Sequence, residues 1–258
     1  VHRVRTDNRF LRIAASPDGQ TVFVTENAPI IHAIDAETGA VRWTVDMPEG
    51  GQAGQPSVTA DGGGVIVPEF GDPSGVVRLD AGTGELVWVR RGLDSVATDA
   101  SAWAGHGGLR ADGRYVVTTD THLVTLDADS GEVVEAAAWP EPMPFADLFR
   151  VWPDGRVSQD WPDRPGVGML FDPRRPQDGV VELDGVPLSF SPDGTRMVLA
   201  RIGDPSSELR VASTADLQTT TQWVRVPAFV RGAPWSPDGS RVVVTTTNGI
   251  QPLDPDTM

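Results

Sequence analysis

The sequence contains neither cysteine nor lysine. Without cysteine, the chain cannot form a disulfide, a thiolate nucleophile or a zinc–thiolate site. Without lysine, it has no side-chain amine for a Schiff base and no P-loop lysine for a nucleotide phosphate. No apolar run approaches the ~20 residues that a membrane-spanning helix needs. These absences exclude several classes of covalent and nucleotide chemistry, and they predict a chain without a membrane span.

Positive charge is also scarce. All 21 basic residues are arginine, 36 residues are acidic, and the formal net charge is -15. A surface this acidic repels a phosphate backbone, so nucleic acid is not an expected partner. An arginine-only chain rich in Ala, Gly and Asp is typical of a GC-rich bacterial genome. The first residue is Val and no signal peptide is visible, so we expect a trimmed or processed chain, which leaves the compartment open between cytoplasmic and extracytoplasmic.

One pattern does recur along the whole chain. An Asp-Gly turn signal returns six times, at intervals of 39 to 51 residues, close to the ~40–50 residues of a four-stranded propeller blade. Asp-Gly supplies the side-chain cap and the positive φ of a tight hairpin. The six copies begin at Ser16, Thr59, Arg110, Trp152, Ser191 and Ser236.

Each copy contains short runs rich in β-branched and aromatic residues, which favour strands. The pattern predicts an all-β fold: a single domain over residues 1–258, forming a six-bladed β-propeller. The last copy stops one strand early, and the spare strand Val1–Asp7 is expected to close that blade and remove its exposed edge. A fragment of a longer propeller is the alternative. The predicted blades cover 8–46, 55–91, 107–138, 148–185, 187–226, and 232–258 with 1–7.

A second turn motif follows in the same copies, as "IDAETGAVRW" and "LDAGTGELVW". These segments resemble the tryptophan-docking repeats of quinoprotein-like (PQQ-like) propellers, with Trp43 and Trp88 in the docking position. The "SPDG" turns are similar to TolB-type repeats, and the chain as a whole resembles the bacterial WD40-like and YVTN repeat families. The resemblance implies propeller blades and no particular reaction.

A propeller carries its second-to-third-strand loops and its links between blades on one face around the channel, and loops on a rigid scaffold commonly carry function. The sequence places extra length at 91–108, 139–149 and 160–166. Aromatic residues there either form a ligand or partner surface or cap the ends of the blades. The candidate binding residues are Trp103, His106, Trp139, Phe145, Trp161, Arg201 and Arg231.

A group of acids falls at the predicted exit of the second strand. Glu26, Glu69 and Asp120 each stand eight residues after the turn Asp, and Asp160 is the nearest acid in the fourth copy. If these positions converge, their oxygens could hold a hard cation such as calcium. The alternative is that strand exits are polar because they meet water.

No catalytic constellation stands out, so the sequence favours a non-enzymatic, monomeric binding domain whose partner is a protein or peptide rather than a small molecule. The first alternative is a lactonase-like hydrolase that uses a divalent cation on the channel-mouth acids. The second is a sensor or accessory domain of a larger envelope protein.

Overall fold

The structure is a computed structural model that describes most of the chain. The described residues are 12–26, 28–48, 50–70, 74–93, 107–119, 122–139, 149–161, 164–203, 205–218, 220–236 and 238–257. Two compact units make up the chain, Val1–Met143 and Pro144–Met258.

The first unit contains three antiparallel sheets. The first sheet has the order β1-β2-β3-β4, the second β5-β7-β8-β9 with β6 also paired to β7, and the third β10-β11-β12-β13. The strands are β1 (Arg12–Ala15), β2 (Thr21–Thr25), β3 (Ile30–Asp35), β4 (Val41–Asp46), β5 (Gln52–Ala53), β6 (Ser57–Val58), β7 (Gly64–Phe70), β8 (Gly75–Asp80), β9 (Leu86–Arg91), β10 (Gly107–Leu109), β11 (Arg114–Thr118), β12 (His122–Asp127) and β13 (Val133–Ala138).

The second unit contains three more sheets, of order β14-β15-β16-β17, β18-β19-β20-β21 and β22-β23-β24. A single 3-10 turn, Pro176–Asp178, is the helical element described in this unit. The strands are β14 (Arg150–Val151), β15 (Val157–Asp160), β16 (Gly168–Phe171), β17 (Val180–Leu183), β18 (Val186–Phe190), β19 (Arg196–Arg201), β20 (Ser207–Ser213), β21 (Val224–Val226), β22 (Val230–Gly232), β23 (Val242–Thr246) and β24 (Gly249–Leu253).

The fold class is the predicted one: the chain is all-β and its sheets are the six blades of a β-propeller. Hereafter the sheets are blades 1 to 6 in chain order. Among the described residues, the last blade has three strands, as the predicted closure requires. The segment predicted to supply its fourth strand, Val1–Asp7, lies outside the described residues. The single-domain assignment stays a prediction.

The turn chemistry explains why the hairpins form where the sequence repeats. In the turn after β18, the Ser191 hydroxyl donates to Asp193 Oδ1 at 2.6 Å and its oxygen accepts the Arg196 amide at 2.9 Å. The backbone N–H of Thr195 donates to the same carboxylate oxygen at 3.0 Å. Gly194 takes the positive φ of 71° that closes the turn. The same serine–aspartate contacts recur at Ser16 and at Ser236.

These turns make stability depend on pH. The serine hydroxyl, then the turn backbone amide, lowers the pKa of Asp193 and of Asp238 from 3.8 to about 2. Because the folded pKa is depressed, this stabilisation is present above pH 3.8 and is lost as the pH falls through about 2. We expect the urea concentration at the midpoint of unfolding to decrease as the pH is lowered from 4 to 2. In the D193N/D238N variant, this midpoint should decrease less over the same pH range. An equal pH dependence in the variant would contradict this expectation.

Buried apolar residues lie between neighbouring blades. Within the first unit, one cluster around Phe23 and Val65 joins blades 1 and 2, and another around Ile66 and Tyr115 joins blades 2 and 3. Within the second unit, Trp152 and Leu199 belong to the cluster between blades 4 and 5. Because a blade buries its faces against adjacent blades, packing between blades rather than within one sheet holds each unit together.

Two tryptophans reinforce the packing in the first unit. Trp43 on β4 donates from Nε1 to the carbonyl of Ala81 at 3.1 Å, and Trp88 on β9 donates to the carbonyl of Ala128 at 3.1 Å. Each indole covers a glycine in the next blade: a Cβ at Gly84 would lie 2.9 Å from Trp43, and one at Gly131 2.8 Å from Trp88. Both tryptophans therefore dock on the following blade, as the resemblance implied.

Candidate functional site

Two of the predicted binding residues come together in the second unit. Trp161 follows β15 in the loop to β16, and Arg201 ends β19. The backbone of the Trp161 loop packs on Arg201, because a Cβ at Gly166 would lie 3.5 Å from the Cβ and Cγ atoms of that arginine. The loop between β15 and β16 of blade 4 thus lies against the end of β19 of blade 5.

The first part of this surface is a stacked ion pair. Arg164 makes two parallel hydrogen bonds to Glu182, at 2.5 Å and 2.7 Å. Its guanidinium carbon lies 5.0 Å from the centre of the Trp161 ring. The hydrogen bonds to Glu182 raise the pKa of Arg164. A bidentate pair is more rigid than a single contact, so the arginine is held in a defined position although it is exposed.

The second part is a tryptophan with two arginines. Arg201 and Arg210 place their guanidinium carbons 4.4 Å and 4.2 Å from the centre of the Trp223 ring. Both arginines bind Asp184, Arg201 at 2.5 Å and Arg210 at 2.9 Å. Arg201 also lies 3.4 Å from Glu208 on the neighbouring strand β20. One carboxylate therefore holds two guanidinium groups against one indole.

We call these two parts together the arginine–tryptophan face. It consists of Trp161, Arg164, Glu182, Asp184, Arg201, Glu208, Arg210 and Trp223.

Contacts within this face shift the pKa values of Asp184, Arg201 and Arg210. Burial alone raises the pKa of Asp184, but hydrogen bonds and charges from Arg201 and Arg210 outweigh it and lower that pKa below its ordinary value. Burial lowers the pKa of Arg210, opposed by the charge of Asp184. The hydrogen bond to Asp184 raises the pKa of Arg201. The face therefore consists of three arginines and three acids that pair with one another beside two indole rings.

Sequence reasoning found only Trp161 and Arg201 of this set. The spacing of Arg164 three residues after Trp161, inside a Pro-rich loop, was the one local signal for a further member. Asp184 lies in the link between blades 4 and 5, Arg210 lies on β20, and Trp223 directly precedes β21. Only the pairing of β19 with β20, and of β20 with β21, brings these residues together.

Two of the remaining predicted binding residues, Trp139 and Arg231, lie in the part of the chain that the structure describes. Trp139 is 8% exposed, which suits the end-capping role that the sequence left open. Arg231 lies on β22 and is exposed. Trp103, His106 and Phe145 lie outside the described residues. A binding role for these five stays a prediction.

The acids considered as calcium ligands face basic groups of their own blades. Glu69 is fully buried; its Oε2 lies 2.8 Å from Arg91, and its Oε1 accepts the Gly51 amide at 3.0 Å. Glu26 lies 3.5 Å from Nε2 of His32. The ion pair and the amide already engage both oxygens of Glu69.

Asp160 lies at the end of β15. Burial lowers the pKa of Arg150, and the charge of Asp160 partly opposes this lowering. Asp120 lies outside the described residues. Over the described ranges, no group of three or more His, Asp or Glu side chains could hold a metal ion. The calcium site therefore stays a prediction without a described set of ligands.

Comparison with known protein families decides the family. The family described as outer membrane protein assembly factor BamB, a PQQ-like repeat family, matches residues 3–146. The chain belongs to the BamB family. The match covers the tryptophan-docked blades of the first unit, and the quinoprotein-like resemblance of the sequence is confirmed. No curated protein matches this BamB-family chain in sequence.

Solved structures support the fold of this BamB-family chain. It is similar to the dihydro-heme d1 dehydrogenase NirN in complex with DHE, with 18% identity, a TM-score of 0.65, and coverage of 95% of this chain and 54% of that one. It is also similar to the Cps50 (Swd1) β-propeller domain of Myceliophteria thermophila, with 12% identity, a TM-score of 0.70, and coverage of 96% and 84%. The WD40 repeats of RRP9 match with 10% identity, a TM-score of 0.66, and coverage of 96% and 77%.

These identities are low, so the similarities show a shared fold. The chain spans about half the length of NirN. Over the described residues, no helix is long and apolar enough to cross a membrane.

Proposed function

We propose that this chain is a non-enzymatic interaction domain that binds a protein or peptide partner through the arginine–tryptophan face of blades 4 and 5. The observation that carries the proposal is the stacking of three arginines on two tryptophans at one loop surface. Tryptophan and arginine are the residue types most enriched among the side chains that dominate binding energy in protein interfaces. The propeller fold and the BamB family membership support an interaction role for the domain.

The geometry of the face suits a partner surface because its side chains are already ordered. Arg164 is bound by Glu182 through two hydrogen bonds, and Arg201 is bound by Asp184. Ordering a long side chain costs about 0.5–1.5 kcal/mol on association, and preorganised side chains avoid most of that cost. Arg164 and Arg201 are about half exposed, so they are accessible to a partner.

Nothing in the described site favours hydrolysis. A general acid or a metal-bound nucleophile would need free carboxylates, and Glu69 has its oxygens on Arg91 and the Gly51 amide. On the arginine–tryptophan face, Glu182 makes a bidentate contact with one arginine, and Asp184 bridges two arginines. The arrangement stabilises charges rather than transferring protons.

The proposal is tested by photocrosslinking of the full chain in its native host. A photoreactive residue at Pro165, which is exposed in the loop of Trp161, is expected to yield a discrete protein adduct. The matched control position is Asp216, which is exposed in the turn at the opposite end of β20. The proposal fails if Pro165 gives no adduct, or if Asp216 gives the same adduct in equal yield.

The same experiment with an arginine variant identifies the contact. Arg164→Ala is expected to reduce the Pro165 adduct by about tenfold, because truncating a central interface arginine costs about 1–2 kcal/mol or more. Arg174→Ala is the control: Arg174 also makes a bidentate contact, with Asp172, and is similarly exposed, but it lies in the turn between β16 and β17. Equal losses in both variants would contradict a role for the arginine–tryptophan face.

A further inference from the structure

All three carboxylates of the arginine–tryptophan face are about half exposed, and one of its three arginines is largely covered. The side chains of Glu182, Asp184 and Glu208 are 51%, 54% and 44% exposed, those of Arg164 and Arg201 are 45% and 42% exposed, and that of Arg210 is 13% exposed. An approaching partner therefore meets three accessible carboxylates and two accessible arginines, which leaves negative charge in slight excess. The chain as a whole carries a net charge of -15, which attracts a basic partner and repels an acidic one.

Asp184 shows how many guanidinium groups one carboxylate of this face can hold. Its Oδ1 accepts two hydrogen bonds from Arg201, at 2.5 Å and 3.1 Å, and its Oδ2 accepts one from Arg210 at 2.9 Å. An ionised carboxylate offers about four acceptor sites, so two arginines fit on it. Asp184 thus forms an arginine–carboxylate–arginine bridge on this face.

Among the described residues, Glu182 and Glu208 each bind one guanidinium group. Glu182 binds Arg164, and Glu208 binds Arg201. Both side chains are about half exposed, so each retains acceptor capacity on the solvent side. The ring-stacked arginines hold these glutamates in place, which lowers the entropic cost of adding a second guanidinium.

We propose that the partner of this face presents arginine side chains, and that they bind Glu182 and Glu208 as second guanidinium groups in the manner already seen at Asp184. This inference rests on the proposed function and specifies the chemistry of its partner. Arginine fits better than lysine because a planar guanidinium donates two parallel hydrogen bonds to a carboxylate, whereas an ammonium is a point charge. The occupant is a peptide segment with several arginines.

The test uses three fluorescein-labelled ten-residue peptides that alternate glycine with arginine, lysine or glutamate. Fluorescence anisotropy with the full chain is expected to give the tightest binding for the arginine peptide, several-fold weaker binding for the lysine peptide, and none for the glutamate peptide. Equal affinity for arginine and lysine, or no binding of the arginine peptide, would overturn the inference.

A charge-matched pair of variants separates the site from general attraction. E182Q/E208Q removes two negative charges from the face, and D129N/D256N removes two from acids that each bind one arginine elsewhere and are more exposed. We expect E182Q/E208Q to weaken binding of the arginine peptide by about tenfold, corresponding to two contacts of about 0.7 kcal/mol each. D129N/D256N should weaken this binding by less than about twofold. Equal weakening would show attraction by net charge alone and would refute the site.

The two proposals fail in different ways. A Pro165 adduct without selectivity for the arginine peptide would leave the interaction domain standing and remove the arginine-bearing partner. Absence of the adduct would remove the interaction domain itself, whatever the peptides do.

Discussion

Gly84→Ala is expected to destabilise the chain far more than Gly113→Ala, although both glycines have nearly the same backbone conformation. Their φ angles are 76° and 80°, so a Cβ costs about 1–2 kcal/mol at either position. At Gly84 the Cβ would also lie 2.9 Å from the Trp43 ring, whereas at Gly113 nothing lies within 4 Å. Overpacking adds about 1–3 kcal/mol, so the loss at Gly84 should reach about 2–5 kcal/mol.

Urea unfolding of both variants, followed by tryptophan fluorescence or circular dichroism, checks this difference. A double-mutant cycle with Trp43→Ala identifies its cause, because the extra cost of Gly84→Ala should disappear once the indole is gone. Trp43→Ala alone is expected to cost about 3 kcal/mol, from the lost contact area and the lost hydrogen bond to Ala81. Equal losses at Gly84 and Gly113 would show that the docking contact contributes little to stability.

Arg91→Leu is the second substitution with a large expected effect. Arg91 lies 2.8 Å from the fully buried carboxylate of Glu69, and removing one partner of a buried ion pair typically costs about 3–5 kcal/mol. The remaining carboxylate would keep the Gly51 amide, which cannot replace a full positive charge. We expect the free energy of unfolding to fall by about 3 kcal/mol or more.

The neighbouring arginine of the same strand provides the control. Arg90 is exposed, so Arg90→Leu is expected to change stability by less than about 0.5 kcal/mol. The variant E69M/R91M removes both charges and should recover most of the loss, since replacing a buried pair by apolar residues is often nearly neutral. If E69M/R91M is as unstable as Arg91→Leu, the loss comes from packing rather than from an uncompensated charge.

The sequence contains a signal for the buried ion pair of Glu69 and Arg91. Glu69 pairs with Gly75, and Gly75 pairs with Arg91, so the glycine stands between the two charges across β8. A Cβ at Gly75 would lie 3.1 Å from the Arg91 guanidinium. An acid and a base at equivalent positions on either side of a strand glycine indicate an ion pair across that strand. The sequence-based reading instead grouped Glu69 with acids of other blades.

The sequence contains a weaker signal for the arginine–tryptophan face. Trp161 was selected in a loop predicted to lie on the loop-rich face, and Arg201 at the predicted exit of a second strand; the loop of Trp161 does lie against Arg201. Their partners could not be selected, because Asp184 is 17 residues before Arg201 and 26 before Arg210. No local pattern links residues at such separations, since the match depends on the register of β19 with β20 and on the link between blades 4 and 5.

The amino-acid sequence by itself determined the number of repeats and the position of the hairpins, and its resemblance to quinoprotein-like repeats implied the docking tryptophans. These features rest on contacts between residues close in the chain, such as Ser191 with Asp193, or on a pattern that returns at a fixed period. Only the tertiary structure decided which charges meet: Glu69 with Arg91, Arg164 with Glu182, and two arginines with Asp184. The physical reason is that charge pairing acts over a few ångströms in space, and strand register and blade packing bring distant residues within that range.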